Sequence, residues 1–184
     1  PHIRCDNGFY RFDHDCPKSI GKVRAFFGNV NKVVRSYAYI RQLGAKGLRQ
    51  ASGHAVLNAN YLLALLTGEY NIPYGQRCMH EFVINGTAQN NIGVKTLYIA
   101  NKLIDYGFHP PTTYFPLIVP EALMIEPTET ENREMLELFA GAMLEIARLA
   151  RTAPEEVAAA PITTPVTRMD ELAAARQPVV CWKD

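Results

Sequence analysis

Three short runs carry side chains that could do chemistry. The first is Cys78-Met79-His80-Glu81-Phe82. The spacing predicts a strand over residues 78–84, which sends neighbouring side chains to opposite faces. His80 and Glu81 then cannot act as a simple dyad, and one is expected buried and bonded, the other solvated. The second run is Tyr106-Gly107-Phe108-His109-Pro110-Pro111-Thr112. A glycine before His109 and two prolines after it present the imidazole on a stiff loop, where it could stack on a ring or move a proton near neutral pH. The plainer reading is a loop histidine bonded to backbone. The third run is Glu126-Pro127-Thr128-Glu129-Thr130-Glu131. Its carboxylates suit the positive end of a helix, and Thr128 with Glu131 has the capping-box spacing.

Several chemistries are excluded. Ser19-Ile20-Gly21-Lys22 lacks the earlier glycine and the following Ser or Thr of a phosphate loop, and His80-Glu81 has no second histidine at zinc-protease spacing. There is no nucleophile elbow and no glycine-rich dinucleotide fingerprint. Cys5, Cys16, Cys78 and Cys181 fit no zinc pattern and are read as reduced thiols. The net charge of +1 gives no field for nucleic acid or an anionic membrane. No apolar run approaches the roughly 20 residues of a membrane helix.

The elements follow from periodicity. Asp6-Asn7-Gly8 reads as a turn with a strand at Phe9-Tyr10-Arg11-Phe12 beside it. Val33, Val34, Tyr37, Ile40 and Leu43 share one helix face, and Gly44 stands at the helix end. A second helix over 45–67 carries Leu48, Ala55, Ala59, Leu62, Leu63 and Leu66. After the strand at 78–84, a polar loop runs to Gly93 and a helix ends at Gly107. Residues 112–119 read as extended and 121–126 as a strand. A helix opening at 128–131 buries Met135, Leu138, Phe139, Ala142, Ile146 and Leu149. Pro154 begins a short helix, 161–167 is a loop, 170–176 is helical, and the apolar end at 178–182 is expected to dock. With 48% hydrophobic residues a core is assured. The order implies an α+β fold: a small antiparallel sheet with helices on one face, preceded by long helices. The expected divisions are 1–67, 68–160 and a tail, 161–184.

Together the runs resemble the glycine cleavage P-protein family. The match is carried by Arg41-Gln42-Leu43-Gly44-Ala45-Lys46-Gly47-Leu48, Ala55-Val56-Leu57-Asn58-Ala59-Asn60-Tyr61 and His80-Glu81-Phe82-Val83. It continues through Asp105-Tyr106-Gly107-Phe108-His109-Pro110-Pro111-Thr112 and Met124-Ile125-Glu126-Pro127-Thr128-Glu129. The resemblance spans residues 17–182 and is nearest the C-terminal part of subunit 2 of the two-subunit form. It implies the small C-terminal domain of a fold-type-I pyridoxal-phosphate transferase. It implies a parent enzyme that decarboxylates glycine and passes the aminomethyl group to the lipoylated H-protein. Subunit 1 is the other implied partner, and the implied location is cytoplasmic.

In that family the cofactor lysine follows Asn-Leu-His and precedes a glycine-rich run, and no such run occurs here. Lys18, Lys22, Lys32, Lys46, Lys95, Lys102 and Lys183 all lie in other contexts. The chain is therefore expected to bind no pyridoxal phosphate by itself and to be inactive alone, as a piece of a longer enzyme. Cleft-lining residues implied by the resemblance are Gly28, Asn29, His109, Thr112, Tyr114, Thr128 and Glu129, with the turn Phe27-Gly28-Asn29 near a phosphate site. Uncovered apolar faces near 30–66 would favour self-association as a homo-oligomer. The alternative is a non-catalytic module that binds subunit 1 or the H-protein. A small domain of another fold-type-I enzyme, such as an aminotransferase, suits the paired runs less well.

Overall fold

The computed structural model describes residues 2–21, 28–75 and 77–181. The chain forms two compact units, Pro1–Leu48 and Arg49–Asp184.

The first unit opens with a hairpin. Strand β1 (His2–Asp6) pairs antiparallel with β2 (Phe9–Asp13), from His2↔Asp13 to Asp6↔Phe9. Asn7 and Gly8 both have positive φ, 51° and 84°, which is what a two-residue hairpin turn demands. Paired residues share a face. His2, Arg4, Asp6, Arg11 and Asp13 therefore stand together, with Arg4 bridging Asp6 and Asp13 and Arg11 bridging Asp6. Asp13 is the buried member. The backbone N–H of Asp15 and the Arg4 guanidinium hold its carboxyl below the usual range.

Helix α1 (Val30–Leu66) is broken at Gly44, whose φ of 61° and ψ of −176° are not helical. The expected two helices are thus present. The stripe of Val33, Val34, Tyr37 and Ile40 is more than half exposed. Ala59, Leu62, Leu63 and Leu66, from the second half, are buried in the core of the second unit.

In the second unit the chain runs through β3 (Phe82–Asn85), α2 (Thr87–Asn90), α3 (Thr96–Asp105), β4 (Thr112–Thr113) and β5 (Ala122–Ile125). It continues through α4 (Arg133–Thr152), α5 (Pro154–Ala158) and α6 (Glu171–Arg176). The sheet order is β3-β5-β4, antiparallel throughout, so the fold is α+β as the element order implied. Ile84, Ile99, Leu103, Leu123, Met143 and Ile146 are wholly or almost wholly buried between sheet and helices. Tyr70 is buried with them and donates its hydroxyl to the Met143 carbonyl at 2.9 Å; burial raises its ionisation well above the ordinary phenol.

Six expectations need correction. The strand begins at Phe82, not residue 78, because Asn60 takes the backbone of Cys78. Its Oδ1 accepts from Cys78 N at 3.1 Å and its Nδ2 donates to Cys78 O at 2.8 Å. The polar loop before Gly93 contains α2, after Asn85 Oδ1 accepts from Thr87 N at 2.8 Å. Residues 112–119 are extended only at β4, because Tyr114 turns left-handed with φ 57°.

Helix α4 starts at Arg133, capped by Asn132 Oδ1 accepting from Met135 N at 2.9 Å, so neither Thr128 nor Thr130 is its cap. Ala142 and Ile146 are buried as expected, and Phe139 and Leu149 are partly buried, but Leu136, Ala140, Met143, Ala147 and Ala150 complete the buried face while Leu138 is 55% exposed. Finally, Val179 and Val180 are exposed, so that part of the tail is not docked on the described residues. Trp182, Phe27, Lys22 and Lys183 lie outside the described residues.

Candidate functional site

Gly107 ends α3 in the left-handed region, φ 82°, and its N–H returns to Ile104 O at 2.9 Å. Only a residue without a Cβ takes that turn cheaply. The chain then runs through His109-Pro110-Pro111 into β4. The register Thr112↔Met124 lays this run beside the end of β5, from which Glu126-Pro127-Thr128 continues. The two runs that stood out in the sequence thereby become two walls of one cavity of about 510 Å³. Its floor is apolar, with Phe108 meeting Phe139 edge to face at 5.3 Å. Among the described residues, Glu126, Glu131 and His109 are the ionisable groups on its lining, and no lysine or arginine lines it.

Asn58 holds one wall from α1. Its Nδ2 donates to Thr128 O at 2.9 Å and to Glu131 O at 3.0 Å. Asn60, on the same helix, fixes the segment that carries His80. That imidazole faces Glu126 across 3.8 Å, with both side chains more than half exposed. Such a pair is worth little in stability. Glu81 is not its partner, and the two residues precede the strand instead of alternating along it. Tyr61 donates to Glu137 at 2.6 Å and Arg133 joins the same carboxylate at 2.7 Å, tying α1 to α4.

Of the seven residues singled out, His109, Thr112 and Thr128 line the cavity. Thr128 Oγ1 lies 2.7 Å from Thr130 Oγ1. Tyr114 points elsewhere: its hydroxyl accepts from Leu97 N at 3.3 Å, and burial raises its ionisation. Glu129 is half-buried and is not part of the lining. Gly28 and Asn29 belong to the first unit. Gly28 has φ 109°, and Asn29 Oδ1 accepts weakly from Lys32 N, at 3.4 Å, at the start of α1.

Sequence reasoning missed Asn58 as a clamp. The available signal was Asn58-Ala59-Asn60, two residues of poor helix propensity inside an apolar helical stripe. No group of three or more His, Cys, Asp or Glu side chains fit to hold a metal occurs among the described residues.

The family described as "Glycine dehydrogenase, C-terminal domain" matches residues 51–163. "Probable glycine dehydrogenase (decarboxylating) subunit 2" of Caldanaerobacter subterraneus subsp. tengcongensis is 54% identical over 182 residues, 99% of this chain and 38% of that protein. The protein of the same description from Shouchella clausii is 53% identical over 183 residues, 100% of this chain and 37% of its own length. That from Chlorobium phaeovibrioides is 57% identical over 175 residues, covering 95% and 36%. The chain spans a little over a third of the length of these relatives.

Proposed function

The chain belongs to the family of glycine dehydrogenase C-terminal domains, and from that premise we propose that it forms a wall of the active site of a decarboxylating glycine dehydrogenase. The parent reaction of such an enzyme releases CO2 from glycine, with pyridoxal phosphate as the electron sink, and hands the aminomethyl group to the lipoylated H-protein. Subunit 1 and the H-protein are the partners in this reading, and the cytoplasm is its setting. Among the described residues no helix is long and apolar enough to cross a membrane.

The observation that carries the proposal is the composition of the cleft. Both signature runs converge on an apolar cavity, as substrate sites do. Among the described residues the lining does not fit a seat for the cofactor, because they offer neither an amine to hold an aldehyde nor a cation to hold a phosphate. Its carboxylates Glu126 and Glu131 would repel phosphate. The cleft therefore closes over chemistry anchored in another part of the enzyme, and the chain alone is inactive.

The test uses subunit 2 at the relatives' full length, assembled with subunit 1. His109→Ala and Thr128→Val, at exposed cleft positions, are expected to lower glycine turnover per KM by roughly tenfold or more without moving the melting temperature. Unchanged kinetics in both variants would remove the cleft from the active site.

A further inference from the structure

We propose that Cys16, with His2 and Asp13, forms a reactive thiol site on the N-terminal hairpin that takes small-molecule disulfides. The hairpin register sets His2 opposite Asp13, so both side chains stand on one face. The chain then turns back at Cys16, whose N–H donates to His14 O at 3.1 Å and whose carbonyl accepts from Ser19 N at 2.9 Å. This turn brings Cys16 Sγ to 2.7 Å from His2 Nδ1. The other ring nitrogen, Nε2, lies 4.0 Å from Asp13 Oδ2. Asp13 is in turn fixed by Asp15 N at 3.0 Å and Arg4 Nη1 at 3.3 Å. A nucleophile, a base within hydrogen-bonding reach and a buried carboxylate 4.0 Å from the base's other nitrogen are the parts of an activated thiol.

The other three cysteines lack this arrangement. Cys5 pairs with Tyr10 on the opposite face of the hairpin. Cys78 is half-buried, and desolvation pushes its thiol up. Cys181 is exposed. Cys16 is partly accessible, and the His2 side chain beside it is 56% exposed, so a small reagent reaches the sulfur.

The reaction balances without any further oxidant. Cys16 Sγ attacks one sulfur of a disulfide R–S–S–R while His2 Nδ1 takes the thiol proton. A new S–S bond forms, the old one breaks, and its electron pair leaves on the departing sulfur, which then takes the proton. Cys16 is oxidised to a mixed disulfide as the reagent is reduced to one thiol. The charged imidazole that forms in between faces the Asp13 carboxylate. Cys5, on the opposite face of the hairpin, is not placed to resolve the product, so the adduct persists until an external thiol removes it.

The experiment exposes the full chain to oxidised glutathione at neutral pH and follows each cysteine by peptide mass spectrometry. Cys16 is expected to acquire the adduct about tenfold faster than Cys5 or Cys181. His2→Ala and His2→Gln should bring it down to the rate of Cys5 with the melting temperature unchanged. Equal rates at Cys16, Cys5 and Cys181, or a Cys16 rate that neither His2 variant lowers, would overturn the proposal.

Discussion

Asn58→Asp is expected to release the wall of the cleft formed by residues 126–131. The substitution keeps size and shape, removes the N–H donors and adds a negative charge. In the parent structure those donors reach Thr128 O at 2.9 Å and Glu131 O at 3.0 Å. The variant sets a carboxylate against two carbonyl oxygens, so attraction becomes repulsion. The expected cost is about 1–3 kcal/mol in urea unfolding, the scale of losing such hydrogen bonds. Hydrogen exchange should locate it, with peptides over 126–132 losing protection while those over α3 keep theirs. In the assembled full-length enzyme, a shift of this wall by about 1 Å is expected to cost roughly a hundredfold in turnover. Unaltered exchange at 126–132 would mean that packing, not Asn58, holds the wall.

The second large effect belongs to Asp105. Its carboxylate is 5% exposed and lies 3.4 Å from Lys102 Nζ. It also accepts from Ile162 N at 2.8 Å, Thr163 N at 3.0 Å and Thr163 Oγ1 at 2.9 Å, latching the segment after α5 onto α3. Arg168 adds a contact farther on, with its guanidinium 4.6 Å from the Tyr98 ring centre. Asp105→Ala leaves the buried ammonium and three donors without their acceptor. A loss of about 2–4 kcal/mol is expected, with exchange protection vanishing first at 162 and 163.

The same latch sets a pH response. Burial alone would raise the Asp105 carboxyl, but the N–H groups of Thr163 and Ile162, the Thr163 hydroxyl and Lys102 outweigh it and hold it below the usual range. A carboxyl depressed by folding stabilises the fold fully above its unfolded value near about 4, and the benefit disappears as pH falls through the lower folded value. The parent should therefore lose more stability than Asp105→Ala between about pH 5 and pH 2. Parallel melting curves for the two proteins across that range would show that Asp105 carries no such linkage.

Local signals in the sequence were reliable where one residue decides the backbone. Asn7-Gly8 made the hairpin, Gly44 broke the long helix, and Gly107 with two prolines directed the chain into β4. Signals failed where a distant side chain intervened. Thr128 looked like a cap, but Asn58, 70 residues away in sequence, captures its carbonyl, and Asn132 caps the helix instead. Residues 78–81 looked like strand, but Asn60 claims the Cys78 backbone. For α4 Ala142 and Ile146 are buried as the periodicity suggested, but the buried face extends over Leu136 and Met143 and leaves Met135 and Leu138 exposed. The two chemical runs were visible as runs, yet their meeting depends on β4 pairing with β5, which no spacing encodes. The Cys16–His2 contact depends likewise on the hairpin register.

The central claim is that this chain closes over a cofactor that another segment holds. Mixing the purified chain with an equimolar amount of pyridoxal phosphate, reducing with borohydride and mapping the peptides tests it directly. The account predicts no saturable one-to-one label on any lysine. A single lysine labelled stoichiometrically, with a matching visible absorbance before reduction, would contradict it.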